Sequence, residues 1–405
     1  MTEIPTIPMH EADYWQDPYP QLGAIRAEHR VAYTDQGHLA VLRWGDAVST
    51  LKDTQFIAEG IEVLERKGFS PGDAMHTWRK NAIGVMEGAD HRRVRSLAAS
   101  ALSKRRMDGL RPLIRRHAHA LLDAQVGKGT LEGRLDYAMP LPRRVMMDFL
   151  GLDADELGGS HKPMAGVNIV DCFGPNVTAE LRRDANEAIQ KSMDHVATLY
   201  DKRRAEPKDD LLTHLVEARD EHGVLSEGEL LTLFSTIFGS GASTASIIAS
   251  GLLELARHPE QAELLRDDPE RWKKGACEET LRYRPAITAV GQKAATATEA
   301  FGGVSFEAGQ PISVILGSAN RDVDYWEDPE RFDVRRDPKK TSMTFGIGAH
   351  VCLGHAMARA TVEEALAVFV ERCDELSLLE EARWIPFVME NKLEGLRIGF
   401  SDRPR

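Results

Sequence analysis

The chain has 405 residues, 42% hydrophobic and 28% charged, with no low-complexity tract, which excludes a fibrous or disordered protein. A formal net charge of −12 argues against nucleic acid as a bulk partner, and Cys172, Cys277, Cys352 and Cys373 are too scattered for a disulfide framework. No apolar run approaches the ~18–20 residues of a membrane span, and the N-terminus lacks a basic and apolar leader pattern. A monomeric cytoplasmic protein that is neither membrane-bound nor nucleic-acid-binding is expected.

In chain order, the periodicity predicts a helix over 19–29, a hairpin over 31–42 turning at 35–37, and a helix over 45–52. Residues 59–85 show no clean period and contain Gly60, Gly68, Pro71 and Gly72, the pattern of a binding loop or lid. Helices then dominate, at 91–102, 104–127, 140–150, 178–205, 208–219, 226–257, 259–267 and 271–283. The longest contains Gly239 and Gly241, each costing about 1 kcal/mol against alanine, so it is expected to distort or to be approached closely by something large. Short strands are predicted near 286–296, 303–306 and 311–316, with a last pair near 386–400. No repeat or linker divides the chain, so one mainly helical domain with a small β part is expected over 1–405.

One stretch organises the chemistry. Phe345 to Arg359 is a glycine-loosened loop that carries Cys352 to a helix predicted over 353–371. A thiolate at a helix N-terminus faces unpaired N–H groups and the positive end of the helix dipole, which favour a charged, metal-ligating sulfur. Gly346, Gly348 and Gly354 let backbone lie flat against a broad partner such as a porphyrin.

The full pattern Phe345-x-x-Gly348-x-x-x-Cys352-x-Gly354 resembles the haem-binding signature of the cytochrome P450 family. The resemblance runs over nearly the whole chain and implies the single-domain cytochrome P450 fold, haem b, and Cys352 as the axial iron ligand. It adds Phe345 and His350 to the cofactor site, with His91 and Arg95 as propionate ligands. The third propionate partner, usually an arginine, falls on Lys293, which keeps the charge and loses the bidentate fork. It also implies a structural brace from Glu279 and Arg282, in Glu279-Thr-Leu-Arg282, to Arg331 in Pro329-Glu330-Arg331-Phe332.

One departure stands out. Most members carry an acid followed by a threonine at the bend of the long helix, a pair that relays protons for oxygen activation. Counting back from His258-Pro259 puts Ala242 in the acid's slot and Ser243 in the threonine's; one residue later, Thr244 restores a threonine but no acid. The implied activity is a monooxygenase oxidising an apolar small molecule, in which Ser243 or Thr244 holds a water or a polar substrate group completes the relay. A peroxide-driven peroxygenase and a non-catalytic haem sensor or carrier are the alternatives.

Electrons would come from a ferredoxin-type donor, since the chain has no flavin or nicotinamide motif. The basic segment Arg92, Arg93, Arg95, Lys104, Arg105, Arg106, Arg111, Arg115 and Arg116 would make its docking face. Pocket-lining candidates are Met86, Ser235, Phe238, Gly239, Ile287 and Val290, all of which could equally be core. Were Arg79 or Lys80 to point inward, a carboxylate-bearing substrate would follow.

Overall fold

The computed structural model describes residues 4–152, 156, 169–208, 210–220, 225–301, 303–386 and 389–403. Its centre is a run of apolar side chains from Ala245 to Ala256 on the helix Gly241–Arg257. That helix packs against Pro269–Tyr283 and His355–Arg372 in the largest apolar cluster. The approach is close: a Cβ on Gly251 would lie 2.8 Å from Leu366, and one on Gly275 would lie 2.0 Å from the Val334 carbonyl oxygen. Glycine is therefore what permits these layers to meet at this distance.

The long helix is two helices, Glu227–Gly239 and Gly241–Arg257, broken at Ser240 as the glycine pair predicts. Its N-terminus is set by a capping box between Ser226 and Glu229. Taken together, 227–257 is long and apolar enough by composition to cross a membrane, which corrects the expectation that no such run exists. Its second half is the buried axis of the core.

A six-stranded sheet flanks the helices in the order Thr6–Ile7, Val31–Thr34, Leu39–Val41, Pro311–Ile315, Ala289–Ala294, Phe56–Ala58. The hairpin at 31–41 is as predicted, antiparallel with Val31 opposite Val41. The helix predicted over 104–127 is divided into Lys104–Gly109 and Arg111–Asp123, because Pro112 cannot continue an incoming helix but suits the start of a new one. The predicted loop 59–85 holds the short helices Glu62–Arg66 and Ala74–Lys80. The final strand pair is misplaced by the sequence: the partners are Cys373–Leu378 and Arg397–Asp402. Of the 386–400 segment, 387 and 388 lie outside the described residues.

Candidate functional site

The cysteine loop is built by backbone. Gly346 N–H donates to the Met343 carbonyl at 2.7 Å and Cys352 N–H to the Phe345 carbonyl at 2.8 Å, closing the loop on itself. Gly346 and Gly348 take φ of 72° and 84°, and a Cβ on Gly348 would lie 2.5 Å from the Leu51 carbonyl oxygen, so that position admits only glycine. Gly354 caps the helix, which begins at His355, two residues later than predicted. Phe345 lies under the Arg359 guanidinium, 4.6 Å from its ring centre.

Cys352 alone among the four cysteines is accessible. Protein nevertheless surrounds it, and burial pushes its thiol pKa up; the N–H groups of Gly354 and His355 and the charges of Arg95 and Arg359 pull it down. Accessibility and enclosure together describe a sulfur opening on an internal recess. The loop's neighbours bound that recess: Ile347 packs with the sheet cluster, whereas Leu353, Ala356 and Met357 pack with the helical cluster that holds Met86 and Phe238.

The polar groups beside the loop are incompletely satisfied. His91 is buried, its ring 4.3 Å from that of His350. Burial lowers the His91 pKa, with further lowering by His350, Arg95 and Arg92. His350 Nε2 is 3.3 Å from Glu87 Oε1 but without hydrogen-bond geometry, leaving a buried nitrogen with no hydrogen-bond partner among the described residues. Arg95 donates to the Val351 carbonyl at 2.6 Å. His91, Arg95 and His350 thus gather beside the sulfur with donors to spare, which suits a ring carrying carboxylates at its edge.

The other wall is the bent helix. Gly239 before the break and Ala242, Ser243 and Ser246 after it are accessible or half-buried, the last three at i, i+1 and i+4 of the second helix; Ser240, Gly241 and Thr244 around the break are also outside the core. A Cβ at Gly239 would meet nothing within 4 Å. The Ser243 and Thr244 hydroxyls make no hydrogen bond among the described residues, whereas the Ser246 hydroxyl donates to Glu390 Oε1 at 2.9 Å. Glu390 is 1% exposed and is held there by a backbone bridge to Ile287. No sequence signal pointed to Glu390, which sits in an irregular stretch more than 140 residues from Ser246.

Other expected residues are differently placed. Ser235 is buried with its hydroxyl tied to the Thr232 carbonyl at 3.0 Å, so it serves the helix rather than a pocket. Ile287 and Val290 are half-buried beside the sheet cluster, and Met86 and Phe238 beside the helical one. Lys293 pairs with Glu62 at 2.5 Å.

The brace under the loop is fully bonded. Arg282 grips Glu279 bidentately at 2.7 and 2.8 Å and donates to the carbonyls of Asn320, Pro329 and Arg331, using all five N–H groups. Glu279 also accepts from Asp333 N–H and from Arg336 Nε at 3.1 Å. The third member is therefore Arg336, not Arg331. The backbone turns at 331–333 so that Arg331 offers only its carbonyl inward and its side chain is 55% exposed.

The basic segment is largely spent within the chain. Arg93 pairs with Glu229 and Asp90, Arg111 with Glu363 and Glu364, Arg115 with Glu364 and Glu371, and Lys104 with Asp108. The exposed cations that remain are Arg92, Arg105, Arg106 and Arg116, a smaller patch than the sequence count implies.

A family model described as cytochrome P450 matches residues 274–386. Cytochrome P450 107B1 of Saccharopolyspora erythraea is 33% identical over 350 residues, 85% of this chain and 82% of that protein. The 6-deoxyerythronolide B hydroxylase of the same organism is 30% identical over 387 residues, 92% and 93% of the two chains. Among solved structures, P450BioI in complex with an acyl carrier protein ligated to hexadec-9Z-enoic acid superimposes with a TM-score of 0.88 at 26% identity, covering 96% of this chain and 100% of that one. Epothilone B-bound P450epoK gives a TM-score of 0.88 at 27% identity, covering 98% and 99%. With a glycine-built loop presenting an enclosed but accessible thiol, and relatives of this closeness along its length, the chain belongs to the cytochrome P450 family of haem-b oxidoreductases and is a P450 monooxygenase.

Proposed function

We propose that this chain is a dioxygen-dependent, electron-driven monooxygenase acting on a small apolar molecule in the cytoplasm, with Cys352 ligating the haem iron. The observation that carries the reading is the enclosed, accessible Cys352 sulfur with the Gly354 and His355 N–H groups turned to it. Those N–H groups and the Arg95 and Arg359 charges stabilise the thiolate needed for ligation. His91, Arg95 and His350 are the donors for the propionates; His350 Nε2 makes no hydrogen bond among the described residues, although it stands 3.3 Å from Glu87 Oε1. Lys293 takes part only if it exchanges Glu62 for a propionate. When bound, haem supplies the iron centre at which dioxygen is reduced and the substrate is oxidised.

The acid absent from the long helix is replaced by Glu390. Ser246 lies one turn beyond Ala242 and Ser243, and neighbours at this spacing are about 5–6 Å apart at Cβ. A water between the Ser243 and Ser246 hydroxyls continues this contact toward the recess: Ser246 Oγ, which donates to Glu390 Oε1, turns its proton to the water and takes up one carried by Glu390. With Glu390 as the carboxyl of the path, Ala242 needs none. Thr244, two residues from Ser246, lies off the face of Ala242, Ser243 and Ser246. A chain with its own proton source favours electron-driven turnover over peroxide, and the exposed Arg92, Arg105, Arg106 and Arg116 suit an acidic donor such as a ferredoxin.

The test is the reduced carbon monoxide spectrum of the purified holoenzyme. A thiolate-type Soret band that is lost in Cys352→Ser supports the assignment; an unchanged band in the variant sinks it. Product formed with dioxygen, a ferredoxin and its reductase, at a rate above that with hydrogen peroxide, separates monooxygenase from peroxygenase.

A further inference from the structure

Arg79 lies on the short helix Ala74–Lys80, in the segment that the sequence marks as a loop or lid. It points inward. Its Nη2 donates to the Glu59 carbonyl at 2.6 Å, its Nε reaches the Gly60 carbonyl at 3.5 Å, and its guanidinium stands 4.9 Å over the Phe173 ring. Nη1 has no hydrogen-bond partner, and no carboxylate pairs with Arg79 among the described residues.

The nearby acids are already taken. Glu59 is bound by Arg66, and Glu62 by Lys293 and the Gly60 N–H. Three cations therefore share two carboxylates, and the unpaired charge is the one on Arg79. Neutral carbonyls and an aromatic face offset only part of the cost of enclosing a guanidinium. Burial is the largest influence on Arg79 and pushes its pKa down to about 10, opposed by Glu59 and Glu62.

Its position ties it to the substrate recess. Glu59 Oε2 sits over Gly291, where a Cβ would approach to 2.5 Å, so Arg79 stands one layer from the strand Ala289–Ala294, on the face opposite the Val290 side chain. Phe173 ends a turn whose Asp171 feels the charge of Lys392, and Lys392 follows the 389–391 segment zipped to residues 286–288. From Arg79 the structure thus runs through Phe173 and Asp171 toward Lys392 and the Ile287–Glu390 bridge.

Resting on the proposed monooxygenase function, we infer that the substrate carries a carboxylate, held by Arg79 while its apolar body lies toward Ser243 and Cys352. Five guanidinium N–H groups less the two in use leave three, enough for a carboxylate to accept two end-on. Inside an enclosed site such a contact also excludes the neutral analogue, because the analogue leaves the cation unpaired.

The experiment titrates the holoenzyme with dodecanoate and 4-ethylbenzoate, each beside its methyl ester, by calorimetry and by the Soret shift. At least one acid is expected to bind tenfold or more tighter than its ester, Arg79→Gln to abolish that preference, and Arg79→Lys to retain part of it. A preference below tenfold for both pairs, or one that survives Arg79→Gln, overturns the inference. A purely structural Arg79 would weaken acid and ester alike. If Arg79→Gln fails to hold haem, the wild-type comparison and Arg79→Lys decide, since Lys must weaken the acid more than the ester. A wild-type protein lacking the thiolate carbon monoxide band fails as a P450 monooxygenase. One that has the band but no acid preference fails only as a carboxylate receptor.

Discussion

The two sides of the cysteine loop are built to opposite rules. Beneath it, Arg282 uses every donor, Glu279 accepts from Arg282, Arg336 and Asp333, and Gly275 lets the Val334 backbone press against the helix. Above it, the Ser243 and Thr244 hydroxyls, His350 Nε2 and Arg79 Nη1 lack hydrogen bonds among the described residues. Satisfied buried polar groups fix one geometry, whereas unsatisfied ones store binding capacity for what arrives later. The lower half thus holds the sulfur still, and the upper half waits for cofactor, substrate and protons.

The largest expected break is on the satisfied side. Arg282→Ala leaves Glu279 as a buried charge with fewer partners and strands the carbonyls of Asn320, Pro329 and Arg331, which should cost about 3–5 kcal/mol. The urea midpoint of the apoprotein reads it, with Arg331→Ala as the internal control. Because the Arg331 side chain is mostly exposed, that variant should stay within about 0.5 kcal/mol of wild type. Equal losses for the two variants would restore Arg331 to the brace and remove Arg336.

Next comes Gly275→Ala, whose methyl group would meet the backbone oxygen of Val334 at 2.0 Å. Backbone cannot step aside as a side chain can, so a loss of about 1–3 kcal/mol is expected in the same assay. The same substitution at Gly239, which faces open space, should stabilise the helix by roughly 0.5–1 kcal/mol. A substrate or cofactor contact at Gly239 would appear instead as weaker ligand binding by the Ala variant.

What was legible in the sequence follows this division. The cysteine loop and Glu279–Arg282 are local patterns, with partners within ten residues, and both stand where the sequence placed them. The helix break at Ser240 was equally local, written in two glycines. Arg336 was not legible, because its choice over Arg331 depends on how an irregular segment turns. The short helices at 62–66 and 74–80 are too brief to show a period, and so the inward face of Arg79 could only be posed as a condition. Glu390 joins Ser246 across 144 residues through a segment without regular structure, beyond any local rule.

The smallest effects concern the proton path, where a pair of substitutions is more informative than either alone. Glu390→Gln keeps the shape and an acceptor for Ser246 but cannot cycle a proton, so product per electron consumed should fall about tenfold or more, the lower end of general-acid effects. Ala242→Asp in the wild-type background should change coupling less than twofold, since the carboxyl it adds duplicates one already present a turn away. In the Glu390→Gln background the same Ala242→Asp should restore most of the lost coupling, because both carboxyls address the face of Ala242, Ser243 and Ser246. Hydrogen peroxide and water formed at the expense of product are the direct readout, and the ferric Soret band checks that neither variant disturbs the haem. Full coupling in Glu390→Gln would remove Glu390 from the path and return proton delivery to the substrate itself. The carboxylate probes could then be asked to rescue coupling where their esters cannot.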